Sequence, residues 1–172
     1  DRKSRDFHRP SAKITTHVDS LAASAASFVA MAGDEVVMGR NSELMIHDAW
    51  GLCVGNAEDM RQHGDRLDQI SDNIASIYAE KAGGDAATWR DIMRAETWYS
   101  ADEAVAAGLA DRVTEKATAP DETPENVFDL SIFAHAGRRH APAPPIAATM
   151  TTPRTTTPDN DHQEDTKMGD ST

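Results

Sequence analysis

Along the first part of the chain, apolar positions recur with two different periods. Alternation over residues 13–18 predicts a strand, and the Ala-rich run 21–31 predicts a small-residue helix stopped by Gly33. Residues 35–38 and 44–47 are predicted as short strands separated by a turn at Gly39-Arg40-Asn41. The strongest helical pattern covers 56–82, with Met60, Leu67, Ile70, Ile74, Ile77 and Tyr78 at helical spacing and Gly83-Gly84 as its stop. A second helix around 86–95 carries Trp89, Ile92 and Met93. Ser100-Ala101-Asp102-Glu103 is a capping box that opens a short helix ending at Gly108, and 109–113 reads as a strand. Strands alternating with helices predict an α/β domain over 1–116.

Near residue 117 the pattern gives way. Residues 117–136 form a linker with one apolar island, Val127-Phe128-Asp129-Leu130-Ser131-Ile132-Phe133, suited to docking as a strand or to binding a partner. From 137 to 172 come Pro-rich and Thr-rich stretches and an acidic end. Such segments cannot bury enough apolar area to offset the entropy of ordering, so this tail is expected to be disordered. The composition agrees, with 39% hydrophobic and only 5% aromatic residues. A net charge of -12 argues against a nucleic-acid or anionic-membrane surface. No apolar run approaches the roughly 20 residues of a membrane-spanning helix. The single cysteine, Cys53, excludes an intramolecular disulfide and a CxxC metal site, and fits a reducing compartment.

Three residues stand out as candidates for chemistry. Ser24 lies between a predicted strand and an alanine-packed helix. A sharp turn there would expose its hydroxyl, and small neighbours would let a substrate carbonyl and backbone N–H groups come close. Serine is also a common helix N-cap, and this segment alone does not choose between the two roles. His47 closes the apolar strand Leu44-Met45-Ile46. An imidazole titrating near neutrality suits a general base, and a core histidine bonded to backbone is the plainer alternative. Glu96, with Asp91 as its rival, is the candidate carboxylate to orient the imidazole. None of the other histidines has metal-ligand spacing to a second His or Cys.

Taken together, these segments resemble the proteolytic subunit of the Clp protease, ClpP. Ala22-Ala23-Ser24 followed by a small-residue helix ending in Ala32-Gly33 is similar to the family's nucleophile segment, and Ser24, unlike Ser27, keeps the family's distance to that glycine. Met45-Ile46-His47 corresponds to the family's Met-Ile-His, and Gly55-Asn56-Ala57-Glu58-Asp59 to the opening of its long handle helix. In the same register Glu96 falls on the family's catalytic Asp, just before Ser100-Ala101-Asp102-Glu103-Ala104-Val105 and Gly108-Leu109-Ala110-Asp111. Glu-Thr-Trp at 96–98 and the run 129–138 look more like phage-encoded head-maturation (prohead) proteases of this type.

The resemblance implies a ClpP/crotonase-like α/β fold and a serine endopeptidase. Ser24 would be the nucleophile, His47 the base, Glu96 the acid, and the Ala25 N–H one oxyanion-hole donor. It implies no cofactor and no metal. It further implies a homo-oligomeric ring acting on protein substrates, here capsid or scaffold proteins, in the bacterial host cytoplasm or the phage prohead. No Walker-type loop is present, so any ATP dependence would belong to a partner AAA+ ATPase. The Gly-rich loop that precedes the nucleophile strand in the family has no counterpart in the sequence, so the domain is expected to be truncated at its N-terminus and inactive alone. Two other readings are a crotonase-like acyl-CoA enzyme on the same fold and a catalytically silent capsid-assembly protein.

Overall fold

The computed structural model describes residues 12–114 and 129–145. The strands form two three-stranded sheets, and the chain crosses between them four times. Strand β1 (Thr15–Val18) pairs in parallel with β3 (Glu35–Gly39), which pairs in parallel with β6 (Arg112–Thr114). In the second sheet β2 (Leu21–Ala23) runs parallel to β4 (Glu43–Ile46), and β4 runs antiparallel to β5 (Thr97–Ser100). Val18 lies opposite Met38 and Leu21 opposite Glu43, so the chain between Met38 and Glu43 holds two residues more than that between Val18 and Leu21. The buried Ser42 tightens this longer link, its hydroxyl donating to the Gly39 carbonyl at 2.8 Å.

The helix expected over 21–31 is shorter than predicted. Residues 21–23 are strand, and helix α1 spans only Ala25–Ala30. Leu-Ala-Ala has no local reason to extend; its pairing with β4 supplies one. Gly33 does not cap α1, which closes at Met31. Gly33 is required for space instead, since a Cβ there would lie 2.3 Å from Thr16 Oγ1. Strand β5 was not foreseen, and β6 begins later than the expected start at 109 because Leu109 and Ala110 are buried in the turn after α4 (Ala101–Ala106).

The long helix α2 (Ala57–Ala82) starts at a capping box and stops at Gly83, whose φ of 82° suits glycine. Asn56 accepts from the Glu58 and Asp59 amides while Asp59 accepts from the Asn56 amide. Only Ser71, Ala75 and Tyr78 of α2 are fully buried. Met60, Ile70 and Ile77, expected on a core-facing stripe, are 45%, 40% and 36% exposed. The helix is roughly 39 Å long, and its buried residues all fall in the C-terminal half, where it packs on α3 (Ala86–Arg94). Among the described residues no helix is long and apolar enough to cross a membrane.

The main core gathers Val36, Met38, Leu44, Ile46, Tyr78, Trp89, Met93 and Tyr99 between the sheets and α1–α4. A second cluster lies on the other side of β4 and β5: Met45, Trp98 and Phe133, with Leu21, Ala23, Leu130 and Ala141 against it. Phe133 and Leu130 belong to the apolar island of the linker. The island docks not as a strand but as a 3-10 turn, Leu130–Ile132, capped by Asp129. Docking continues into the segment expected to be disordered from 137. Residues Arg138–His140 form a further 3-10 turn, and the Arg138 guanidinium pairs with the Glu103 carboxylate at 2.5 Å. The rest of the expected tail, 146–172, lies outside the described residues, as do 115–128 of the linker.

Candidate active site

Ser24 stands at the junction of β2 and α1. Its amide still bonds to the Met45 carbonyl at 3.0 Å, as if β2 continued, but its backbone turns sharply to φ 56°, ψ -121°. Positive φ is costly for a non-glycine residue, on the order of 1–3 kcal/mol, and persists only where the surroundings enforce it. The turn exposes the side chain between strand and helix, and Ser24 Oγ lies 2.7 Å from His47 Nε2. His47 follows directly on β4, the strand paired with β2. Parallel pairing of two neighbouring strands therefore brings together residues 23 positions apart.

Ser27, the rival serine, is fully buried beneath this turn. Its hydroxyl donates to the Ser24 carbonyl at 2.5 Å and shares a 2.7 Å hydrogen bond with the Tyr78 hydroxyl of α2. Burial pushes the Tyr78 phenol up to about 12, so it stays neutral and available to bond. Ser27 and Tyr78 thus hold the turn from below, a contact that no local pattern signalled.

Glu96 occupies the bend between α3 and β5 with φ 48°. Its carboxylate accepts from Trp98 Nε1 at 3.0 Å and from the backbone amides of Ala134 at 2.7 Å and His135 at 3.0 Å. Burial works to raise its pKa, but the Ala134, Trp98 and His135 donors outweigh burial and hold the carboxyl below its ordinary value. Among the described residues no hydrogen bond joins Glu96 to His47. The carboxylate acts on the imidazole through its charge. Asp91 is elsewhere, on an exposed part of α3, paired with Arg94 at 2.8 Å.

The His47 ring is half-buried. Desolvation lowers its pKa, opposed by the Glu96 and Asp48 carboxylates, and the net direction is downward. At neutral pH the ring is therefore neutral, the form able to accept a proton. The edge-to-face ring of Phe133 lies against it, centroids 5.5 Å apart.

The backbone beyond His47 is tied down by a charge network. Arg90 of α3, only 5% exposed, donates to both oxygens of Asp48 at 2.8 and 3.0 Å, to Asp68 at 2.6 Å and to Asp72 at 2.5 Å. Ser71 Oγ accepts from the Ala49 amide at 2.9 Å. Arg90→Met is expected to cost about 1–3 kcal/mol, kept modest because the Asp68 and Asp72 side chains are 70% and 68% exposed and can be hydrated. Urea unfolding would show this as a lower midpoint at unchanged slope. An unchanged midpoint would mean that the network contributes no net stability.

A pocket of about 270 Å³ opens beside the Ser24–His47 pair, lined by Ala25, Phe28, Asp48, Ala49, Trp50, Leu67, Ile70, Ile74 and Tyr78 as well. Ala25 is the first residue of α1, so its N–H has no helical acceptor by position, and the residue lines this pocket together with Ser24. The walls are mainly apolar and the polar groups converge at one end, the usual form of a small-molecule or peptide side-chain site.

A mixed α/β scaffold thus presents a serine at a positive-φ strand-to-helix turn within hydrogen-bond reach of a neutral histidine. The chain belongs to the Clp protease family, whose model matches residues 7–117. It is 31% identical over 109 residues to the ATP-dependent Clp protease proteolytic subunit of Leuconostoc citreum (strain KM20), an alignment covering 61% of this chain and 54% of that protein. The chain thus spans about half the length of the curated relative it matches. Both comparisons agree with the α/β fold expected from the sequence. The docked segment 129–145 lies beyond the family match.

Proposed function

We propose that the protein is a serine endopeptidase that cleaves peptide bonds through an acyl-enzyme formed on Ser24. The observation that carries this reading is the 2.7 Å approach of Ser24 Oγ to His47 Nε2 at a backbone turn with positive φ. The Ser24 hydroxyl gives its proton to Nε2 as Oγ attacks the scissile carbonyl; the resulting imidazolium returns that proton to the leaving amine, and water repeats the cycle on the ester. Glu96 stabilises the imidazolium by its charge. The Ala25 N–H faces the developing oxyanion, where each such donor is worth roughly 10²–10³ in rate. The apolar pocket beside the pair supports an apolar side chain next to the cleaved bond.

In this reading the substrates are proteins, and the similarity of segments 96–98 and 129–138 to head-maturation proteases points to phage capsid or scaffold proteins. The exposed Trp50, Leu52 and Val54, which are 63%, 90% and 100% exposed, support a homo-oligomeric assembly that covers them. The reading is tested by restoring the upstream segment that the family carries, treating the longer protein with a fluorophosphonate and mapping the adduct. Modification at Ser24 is expected. A labelled Ser27, or no adduct in protein shown to be folded, would sink it. The capsid assignment is tested by co-expression with the neighbouring capsid and scaffold genes, where absence of Ser24-dependent cleavage would reject it.

A further inference from the structure

The docked C-terminal segment reaches the site without lining the pocket. Phe133, 8% exposed, inserts between His47 and Trp98, its ring centroid 5.5 Å from the first and 5.9 Å from the second, edge-to-face with both. The next two residues turn their amides onto Glu96. Ala134 N–H donates to Oε2 and His135 N–H to Oε1, the oxygen that also accepts from Trp98. The chain achieves this with Ala136 at φ 50° and Gly137 at φ 120°, and Arg138 then anchors it. The Arg138 guanidinium holds both Glu103 oxygens, its amide donates to Glu43 at 3.2 Å, and its Nη1 donates to the Ala141 carbonyl at 3.0 Å.

We infer that residues 130–138 are a strap that completes the acid–base pair: Phe133 and the Ala134 and His135 amides are positioning groups that keep Glu96 fixed and water away from His47. This rests on the peptidase reading of Ser24 and His47. The strap is not a plug, because none of its residues lines the pocket at Ser24. The family match ends at residue 117, before the strap begins. Its physical effect is on the His47–Glu96 interaction. With no hydrogen bond between the two, the carboxylate stabilises the imidazolium across a gap, and that attraction grows as water is excluded. Three donors meanwhile hold the carboxylate in one orientation, so little reorganisation accompanies proton transfer.

The charged and titratable groups around the ring are Glu96 and Asp48, with Arg90 bonded to Asp48 and His135 acting electrostatically on Glu96. The anchor itself does not titrate in the working range. Glu103 is held down to about 2, by the Arg138 bond foremost. A depressed carboxylate stabilises docking fully above its ordinary value of 4.5 and loses that contribution only as pH falls toward about 2.

The test compares the full chain with Phe133→Ala, Phe133→Leu and Arg138→Ala. Two quantities are read: the pH dependence of fluorophosphonate labelling, and the His47 imidazole titration by NMR. Loss of the aromatic cover relieves desolvation, the larger effect on His47, and weakens the Glu96 attraction, the smaller, so in Phe133→Ala the His47 pKa should rise toward its ordinary 6.5 and the acid limb of the labelling profile should move to higher pH. At the pH optimum labelling should slow by roughly tenfold to a hundredfold, the usual consequence of a slightly misplaced pair. Phe133→Leu should restore much of the rate, and Arg138→Ala should shift the same limb in the same direction without touching the aromatic cluster. An unmoved His47 titration in both Phe133→Ala and Arg138→Ala, whatever their stability, would overturn the strap as a positioning device. Faster labelling in the variants would overturn it too, by making the strap a cover over the nucleophile. Should the wild-type chain fail to label at Ser24, the peptidase reading fails, and the NMR titration still decides whether the strap tunes His47.

Discussion

Ser24→Ala is expected to abolish fluorophosphonate labelling and to lower peptide hydrolysis by on the order of 10⁴-fold or more. The hydroxyl is the only nucleophile within reach of His47 Nε2 among the described residues, and its removal leaves only the rate contributed by binding and oxyanion stabilisation. The control is Ser27→Ala. Ser27 loses two buried hydrogen bonds, one to the Ser24 carbonyl and one to Tyr78, so its replacement should cost about 1–3 kcal/mol in stability while the adduct still forms at Ser24. The two variants therefore separate along different axes: one folds normally and is chemically silent, the other is less stable and reactive. A stable, inactive Ser27→Ala beside an active Ser24→Ala would reverse the assignment.

Glu96→Gln should lower kcat by on the order of 10²- to 10⁴-fold without unfolding the protein. The substitution removes the charge that favours the imidazolium, and the new NH2 group faces either the Ala134 N–H or the N–H groups of His135 and Trp98, donor against donor. The pH profile carries the sign. Glu96 raises the His47 pKa against the lowering by burial, so neutralising it should move the acid limb to lower pH. Phe133→Ala should move that limb the opposite way. An acid limb that stays put in Glu96→Gln would mean that Glu96 is a structural anchor for the strap rather than the acid of the site. Asp91→Asn, at an exposed ion pair away from His47, should leave both rate and profile unchanged.

Much of the architecture was legible because its signals are local. The capping boxes at Asn56 and Ser100 and the stop at Gly83 satisfy or break backbone bonding within a few residues, so helix boundaries could be read from the residues themselves. His47 at the end of an apolar strand was visible in the same way, whereas Ser24 fell inside the helix expected over 21–31 and takes its place before α1 only because 21–23 pair with β4. Strand β2 was not, since three small residues carry no period that separates strand from helix. Its state depends on β4, which lies about twenty positions later. The outward stripe of α2 was misjudged for the converse reason, because a helical period shows that one face differs from the other and not what covers it.

What the sequence determined by itself is the helices α2 to α4, the α/β class and the small set of side chains able to do chemistry, since each follows from local periodicity, caps and functional-group type. What only the tertiary structure decided is which of them meet. The β2–β4 register brings Ser24 to His47, burial of Ser27 removes it from the pocket, and the bend before β5 sets Glu96 near the imidazole but bonds it elsewhere. The docking of Phe133 onto His47 joins residues 86 positions apart in the chain. Contacts of that range arise from shape, desolvation and strand register acting together, and no window of neighbouring residues contains them.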